Sequence, residues 1–220
     1  MSIDARLAEE VIQTARALEA DGYSPGTSGN VSVRTTRGML ITPSGVEPAA
    51  IEPDLLVDMN IEGDPDPGSR PSSEWAMHAA LYRRRADVHA IVHTHSRFAT
   101  VLACCGRSIP SYHYMVAAAG SLEIPLAPYE TFGTPALSDA VVSTIGGGNA
   151  CLMANHGQIA VGKNLSSAVK TTELVERLAE GYWGTLLIGG PNILSQDAMG
   201  EVVQKFIAGY GSAKKQESEQ

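Results

Sequence analysis

Apolar residues at Ile3, Leu7, Val11, Ile12, Ala15 and Leu18 recur in steps of three and four. That period predicts a helix over residues 3–20 with one buried stripe. Asp21-Gly22 stops it. Three short runs follow, at 31–34, 39–42 and 55–60, parted by Thr36-Arg37-Gly38 and Pro43-Ser44-Gly45; they read as strands between turns. Residues 62–71 (EGDPDPGSRP) read as loop. Ser72 or Ser73 can cap a helix running to about Arg85. A buried strand is expected at 89–95, a helix at 96–105, a short helix at 114–119 and a strand at 124–127. Thr134-Pro135 opens a helix to Ile145, with proline in its first turn, and Gly146-Gly147-Gly148-Asn149 closes it. Strands at 151–154 and 158–161 bracket a turn at His156-Gly157. A long helix over 166–187 carries Ala168, Val169, Leu174, Val175, Leu178 and Trp183, and a last helix spans 196–208. Helices and strands interleave without repeat or linker. The pattern predicts one α/β domain over residues 1–211, a central sheet covered by helices, and a polar, disordered tail over 212–220.

At 220 residues and 44% hydrophobic, the chain can bury one sizeable core. A net charge of -8 argues against nonspecific nucleic-acid binding. Arg83-Arg84-Arg85 is the one basic cluster and reads as a solvated helix end. Cys104, Cys105 and Cys151 are odd in number and include an adjacent pair, which is no disulfide framework. They read as reduced thiols packed like small apolar residues. The first residues hold no signal-like apolar stretch, and no run approaches the roughly 20 residues of a membrane span. The expectation is a soluble, cytoplasmic protein with no nucleic-acid or membrane partner.

Candidate chemistry begins at His93 and His95, which close the apolar run Ala90-Ile91-Val92. Side chains two apart on a strand share a face, roughly 6–7 Å apart along the backbone. Such a pair suits either a metal or an ordinary core, and on its own leaves both readings open. Glu74 upstream and His156 downstream complete a three-His, one-carboxylate set, which fits Zn²⁺. Glu74 falls in the first turn of its expected helix, where the dipole favours an anion. His78, His89 and His113 carry no assignment, although His78 lies four residues beyond Glu74 on the same helix face. Three small-residue segments, Gly26–Asn30, Thr42–Gly45 and Ser72-Ser73, combine glycine with hydroxyl or amide groups. Each alone is an ordinary turn or cap. Together, beside a metal ligand, they suit a phosphate held by backbone and hydroxyl donors. None matches the P-loop pattern.

The stretches GTSGNVSVR (26–34), MLITPSG (39–45), PSSEW (71–75), VHTH (92–95), SIPSYHYMVAAAG (108–120), APYETFGT (127–134) and NHG (155–157) resemble the class II aldolase/adducin family, most closely its fuculose-1-phosphate aldolase branch. The resemblance implies a three-layer α/β/α domain with a mixed, largely antiparallel sheet, assembled as a homotetramer with active sites between subunits. It implies Zn²⁺ on Glu74, His93, His95 and His156, and substrate phosphate near Gly29, Asn30, Ser44, Gly45, Ser72 and Ser73. It also implies that Tyr114 acts from a neighbouring subunit and that a C-terminal tyrosine, here Tyr210, assists. One extra residue separates Phe206 from Tyr210, and Asn155 stands where the branch often has a second histidine.

The expected reaction is retro-aldol cleavage of a ketose 1-phosphate to dihydroxyacetone phosphate and a small aldehyde. A divalent cation, Zn²⁺ or else Mn²⁺, Co²⁺ or Fe²⁺, stabilises the enediolate as a Lewis acid. Glu74 exchanges the C3 proton and Tyr114 the C4 oxygen's proton. The substrates considered are L-fuculose 1-phosphate and the 5-deoxy- and 5-methylthio-ribulose 1-phosphates. The alternatives are ribulose-phosphate 4-epimerase, methylthioribulose-1-phosphate dehydratase and a non-catalytic adducin-like interaction module.

Overall fold

The computed structural model describes residues 4–63 and 65–209. Tyr210 and the tail lie outside the described residues. Seven strands form one sheet in the order β3-β2-β1-β4-β7-β6-β5. They are β1 (Asn30–Arg34), β2 (Met39–Ile41), β3 (Val57–Met59), β4 (Ala90–Thr94), β5 (Leu126–Ala127), β6 (Ala150–Met153) and β7 (Gly157–Gly162). All neighbours are antiparallel except β5 and β6. The helices are α1 (Ala5–Ala20), α2 (Trp75–Arg84), α3 (Arg97–Cys104), α4 (Pro135–Ile145), α5 (Leu165–Leu187) and α6 (Gln196–Ile207). The sheet is mixed and mostly antiparallel, flanked by helices on both faces.

Strand alternation sorts the core into layers. Met39, Ile41, Ile91, Met153, Ile159 and Val161 point to one face, where Met77 and Leu81 of α2 and Leu137 and Val141 of α4 cover them. Leu40, Ala90 and Val92 point to the other, under Val11, Ile12 and Ala15 of α1. Further along that second face, Leu152 and Ala160 meet α3 and α5. Asn30 and Ser32 also point to the α2 side, so that layer carries a polar seam.

Several boundaries differ from the sequence expectation. The strand expected at 55–60 is only Val57–Met59, because Pro53 opens a 3-10 turn before it. The helix expected from Ser72 or Ser73 begins at Trp75, with Glu74 itself at the capping position rather than in the first turn. The serine backbone is used elsewhere: the Ser72 amide donates to the Thr42 carbonyl at 2.9 Å. Residues 114–119 form a 3-10 turn, and 124–127 shortens to two strand residues. Thr134 caps α4 with Pro135 behind it, as the sequence predicts. Arg85 is not a solvated helix end. It pairs with Asp87 at 2.7 Å and donates to the carbonyls of Gly146 and Gly148 at 2.9 and 3.0 Å.

Candidate active site

The register places Asn30, His93 and Ile159 in one transverse row of β1, β4 and β7. His93 points from that row toward α2, and the chain leaving β4 carries His95 to the same side. His156 arrives from the tight β6–β7 turn, where Asn155 adopts a positive φ of 55°. Asn tolerates that left-handed conformation better than most residues. The three imidazoles form a nearly equilateral group, with ring centroids 4.8–4.9 Å apart. Their ligand nitrogens all lie within 4.8 Å of one another. Glu74, entering from the start of α2, sets Oε2 at 3.1 Å from His93 Nε2 and Oε1 at 3.3 Å from His156 Nε2.

This donor set fits a divalent transition metal. His93 Nε2 and His95 Nε2 are 3.0 Å apart. Two nitrogens bound to one tetrahedral Zn²⁺ stand about 3.3 Å apart, given bonds of about 2.0–2.1 Å. His93 Nδ1 lies 2.8 Å from the Gln158 carbonyl. A carbonyl only accepts, so Nδ1 carries the proton and Nε2 is bare toward the cluster. Glu74 Oε1 is buried without a hydrogen-bond donor among the described residues.

For His95 and His156 the electrostatics favour the neutral ring. Burial, then nearby His93, lowers His95 to about 3. The same causes lower His156 to about 4, so both rings are neutral at ordinary pH and able to bind a cation. For His93, burial works toward neutrality, but Glu74 outweighs it and raises the pKa. Burial alone would raise Glu74; His93, His156 and the Asn30 amide overcome it and hold the carboxyl well below the usual range.

Beside this group opens a cleft of about 350 Å³. Gly29, Asn30, Ser44, Gly45, Ser72 and Ser73 all line it, so the three small-residue segments converge. An antiparallel bridge between Pro43 and Pro71 ties two of them together. Gly29 is required where it stands. Its φ is +79°, and a Cβ there would lie 2.8 Å from the His93 carbonyl. Asn30 plays a second part: its side-chain amide donates to Glu74 Oε2 at 3.0 Å.

Two expected residues are not in this group. Tyr114 is 43% exposed, stacks on His113 and does not line the cleft. Tyr210 lies outside the described residues. Conversely, Tyr129, Glu130 and Phe132 line the mouth. From sequence, their segment stands out only through the family resemblance. His78, unassigned from sequence, is wholly buried and bonded to Asn30.

The family model of the Class II Aldolase and Adducin N-terminal domain matches residues 9–183. The chain belongs to this family. Among its relatives, a 5-methylthioribulose-1-phosphate/5-deoxyribulose-1-phosphate aldolase of Rhodospirillum rubrum is 47% identical over 196 residues, 89% of each chain. An L-fuculose phosphate aldolase of Escherichia coli is 42% identical over 202 residues, covering 91% of this chain and 94% of that one. A solved L-fuculose 1-phosphate aldolase superposes with a TM-score of 0.89 at 36% identity, over 94% of this chain and 98% of that chain. The family fold thus accounts for the layered sheet. No helix among the described residues is long and apolar enough to cross a membrane.

Proposed function

We propose that the chain is a metal-dependent ketose-1-phosphate aldolase. It cleaves its substrate reversibly to dihydroxyacetone phosphate and a small aldehyde. The observation that carries this reading is the cluster of three imidazoles and Glu74 beside a cleft that Glu74, His95 and His156 line together with the three small-residue loops. The relatives named above act on ketose 1-phosphates, L-fuculose phosphate in one case and the 5-methylthio- and 5-deoxyribulose 1-phosphates in the other.

His93, His95 and His156, with Glu74, would hold the metal, which we take to be Zn²⁺. When bound, a divalent cation supplies Lewis-acid polarisation of the substrate's carbonyl and hydroxyl oxygens. Gly29, Asn30, Ser44, Gly45, Ser72 and Ser73 bind the phosphate through backbone and hydroxyl donors, which a chain of net charge -8 needs locally. Glu74 moves the proton at C3, the carbon beside the carbonyl. Its burial keeps competing water away from that transfer. Tyr114 exchanges the C4 oxygen's proton from a neighbouring subunit of a homotetramer. Its exposure and its absence from the lining of its own chain's cleft support that arrangement. Tyr210 is proposed as a second contributor.

The deciding experiment is an assay on a panel of ketose 1-phosphates with coupled detection of dihydroxyacetone phosphate, before and after chelation. Release of the triose phosphate, lost on chelation and restored by Zn²⁺, is the expected result. Epimerisation or dehydration without triose phosphate would refute it, as would chelator-resistant cleavage.

A further inference from the structure

The polar seam between β1 and α2 is a single directed chain of hydrogen bonds that starts at Glu74. Asn30 Nδ2 donates to Glu74 Oε2 at 3.0 Å. Asn30 Oδ1 lies 2.6 Å from His78 Nε2. His78 Nδ1 lies 2.7 Å from Ser32 Oγ, and Ser32 Oγ lies 2.9 Å from the Tyr82 hydroxyl. Asn30, Ser32, His78 and Tyr82 are all buried.

The polarity of this chain has one solution. An ionised carboxylate only accepts, so Asn30 must turn its NH₂ toward Glu74. Its oxygen then faces His78 and accepts, so His78 carries its proton on Nε2. Nδ1 is left bare and must accept from the Ser32 hydroxyl. Ser32 oxygen in turn accepts from Tyr82. Removing the Ser32 or Tyr82 hydroxyl releases the His78 tautomer. Asn30 is then oriented by the carboxylate alone, with no fixed donor on its oxygen to hold the amide plane in place.

We infer that His78, Ser32 and Tyr82 are positioning residues for Glu74. Through Asn30 they hold Oε2 with a fixed donor, and so leave Oε1, which has no donor among the described residues, as the oxygen presented for proton transfer. The inference rests on the proposed role of Glu74 as the carrier of the C3 proton.

Two variants each remove a single oxygen, Ser32→Ala and Tyr82→Phe. The readouts are solvent-deuterium exchange into dihydroxyacetone phosphate, kcat and KM for cleavage, bound metal, melting temperature, and the His78 ring ¹⁵N signals. In the unaltered protein His78 is expected to show Nε2 protonated and Nδ1 bare. Ser32→Ala is expected to lower kcat and the exchange rate together by about tenfold, with KM and metal content unchanged. Tyr82→Phe is expected to lower both to a smaller extent. Wild-type exchange in both metal-loaded variants would overturn the inference. A proton on Nδ1 of His78 would do the same, as would losses that merely follow metal loss or melting. If Ser32→Ala does not fold, Tyr82→Phe decides alone. A different result marks failure of the underlying reading: no exchange by the unaltered protein, or full exchange by Glu74→Gln.

Discussion

A side chain in this site is defined by what it leaves bare. His93 spends Nδ1 on a backbone carbonyl and turns Nε2 to the cluster; Glu74 spends Oε2 on Asn30 and keeps Oε1. Substituting Glu74 by Gln preserves the shape and removes the proposed base. Turnover is expected to fall by about 10²–10⁴ with phosphate binding largely intact. Steady-state kinetics and inorganic-phosphate titration check this, and full activity would remove Glu74 from the reaction. Gly157 gives a second residue-scale prediction. A Cβ there would sit 2.4 Å from the Thr94 carbonyl and 3.1 Å from the His95 ring. Gly157→Ala is expected to displace His95 and lower the bound metal, measured by elemental analysis of the purified variant. His93 and His95 were legible as a candidate pair because i, i+2 spacing on a strand is a local signal. The second role of Asn30 was not legible. Its amide reaches Glu74 across 44 positions of sequence, and no local pattern encodes a partner that far away.

Among the elements, the long helices and central strands followed from their apolar period, since β4, β6 and all but the last residue of β7 are buried. The start of α2 did not. The sequence offered Ser72 or Ser73 as the cap, but the Ser72 amide is spent on the Thr42 carbonyl, which lies outside the helix, and the helix starts after Glu74. The end of α2 was misread for the same reason, because Arg85 finds carbonyls around Gly146 and Gly148. Asp87 completes that junction. Its hydrogen bond from Arg85 lowers its pKa to about 2. A carboxyl depressed when folded adds stability above its unfolded value, about 3.9, and that stability is lost as the pH falls toward 2. The pair is largely exposed on the Asp87 side, so Asp87→Asn is expected to cost no more than about 1 kcal/mol at neutral pH. The gap should close only as the pH falls to about 2 in urea melts; one that persists there would assign the effect to packing rather than charge.

For the whole molecule, the site draws on loops from both halves of the sequence. Because ligand donors exist in place only in the folded chain, added Zn²⁺ should raise the melting temperature with concentration. An excess of 100 times Kd is worth about 2.7 kcal/mol. A melting curve indifferent to Zn²⁺ would count against the centre. Subunit exchange tests the assembly. Tyr114→Phe and Glu74→Gln, each expected to be impaired alone, should recover partial activity when mixed and reassembled, and no recovery would place both groups in one subunit. The α/β layering could be read from the order of elements, whereas the register could not, because it is fixed by pairing between distant strands. That register has a further consequence. If β1 slipped by one residue against β4, Asn30, Ser32 and Arg34 would turn into the apolar layer beneath α1, and Val31 and Val33 would meet the polar side of α2. A one-residue slip in either direction therefore buries unpaired polar groups. The seam that holds the carboxylate also discriminates against misfolded chains, so alleles that weaken it should show up as poor folding yield as well as slow turnover.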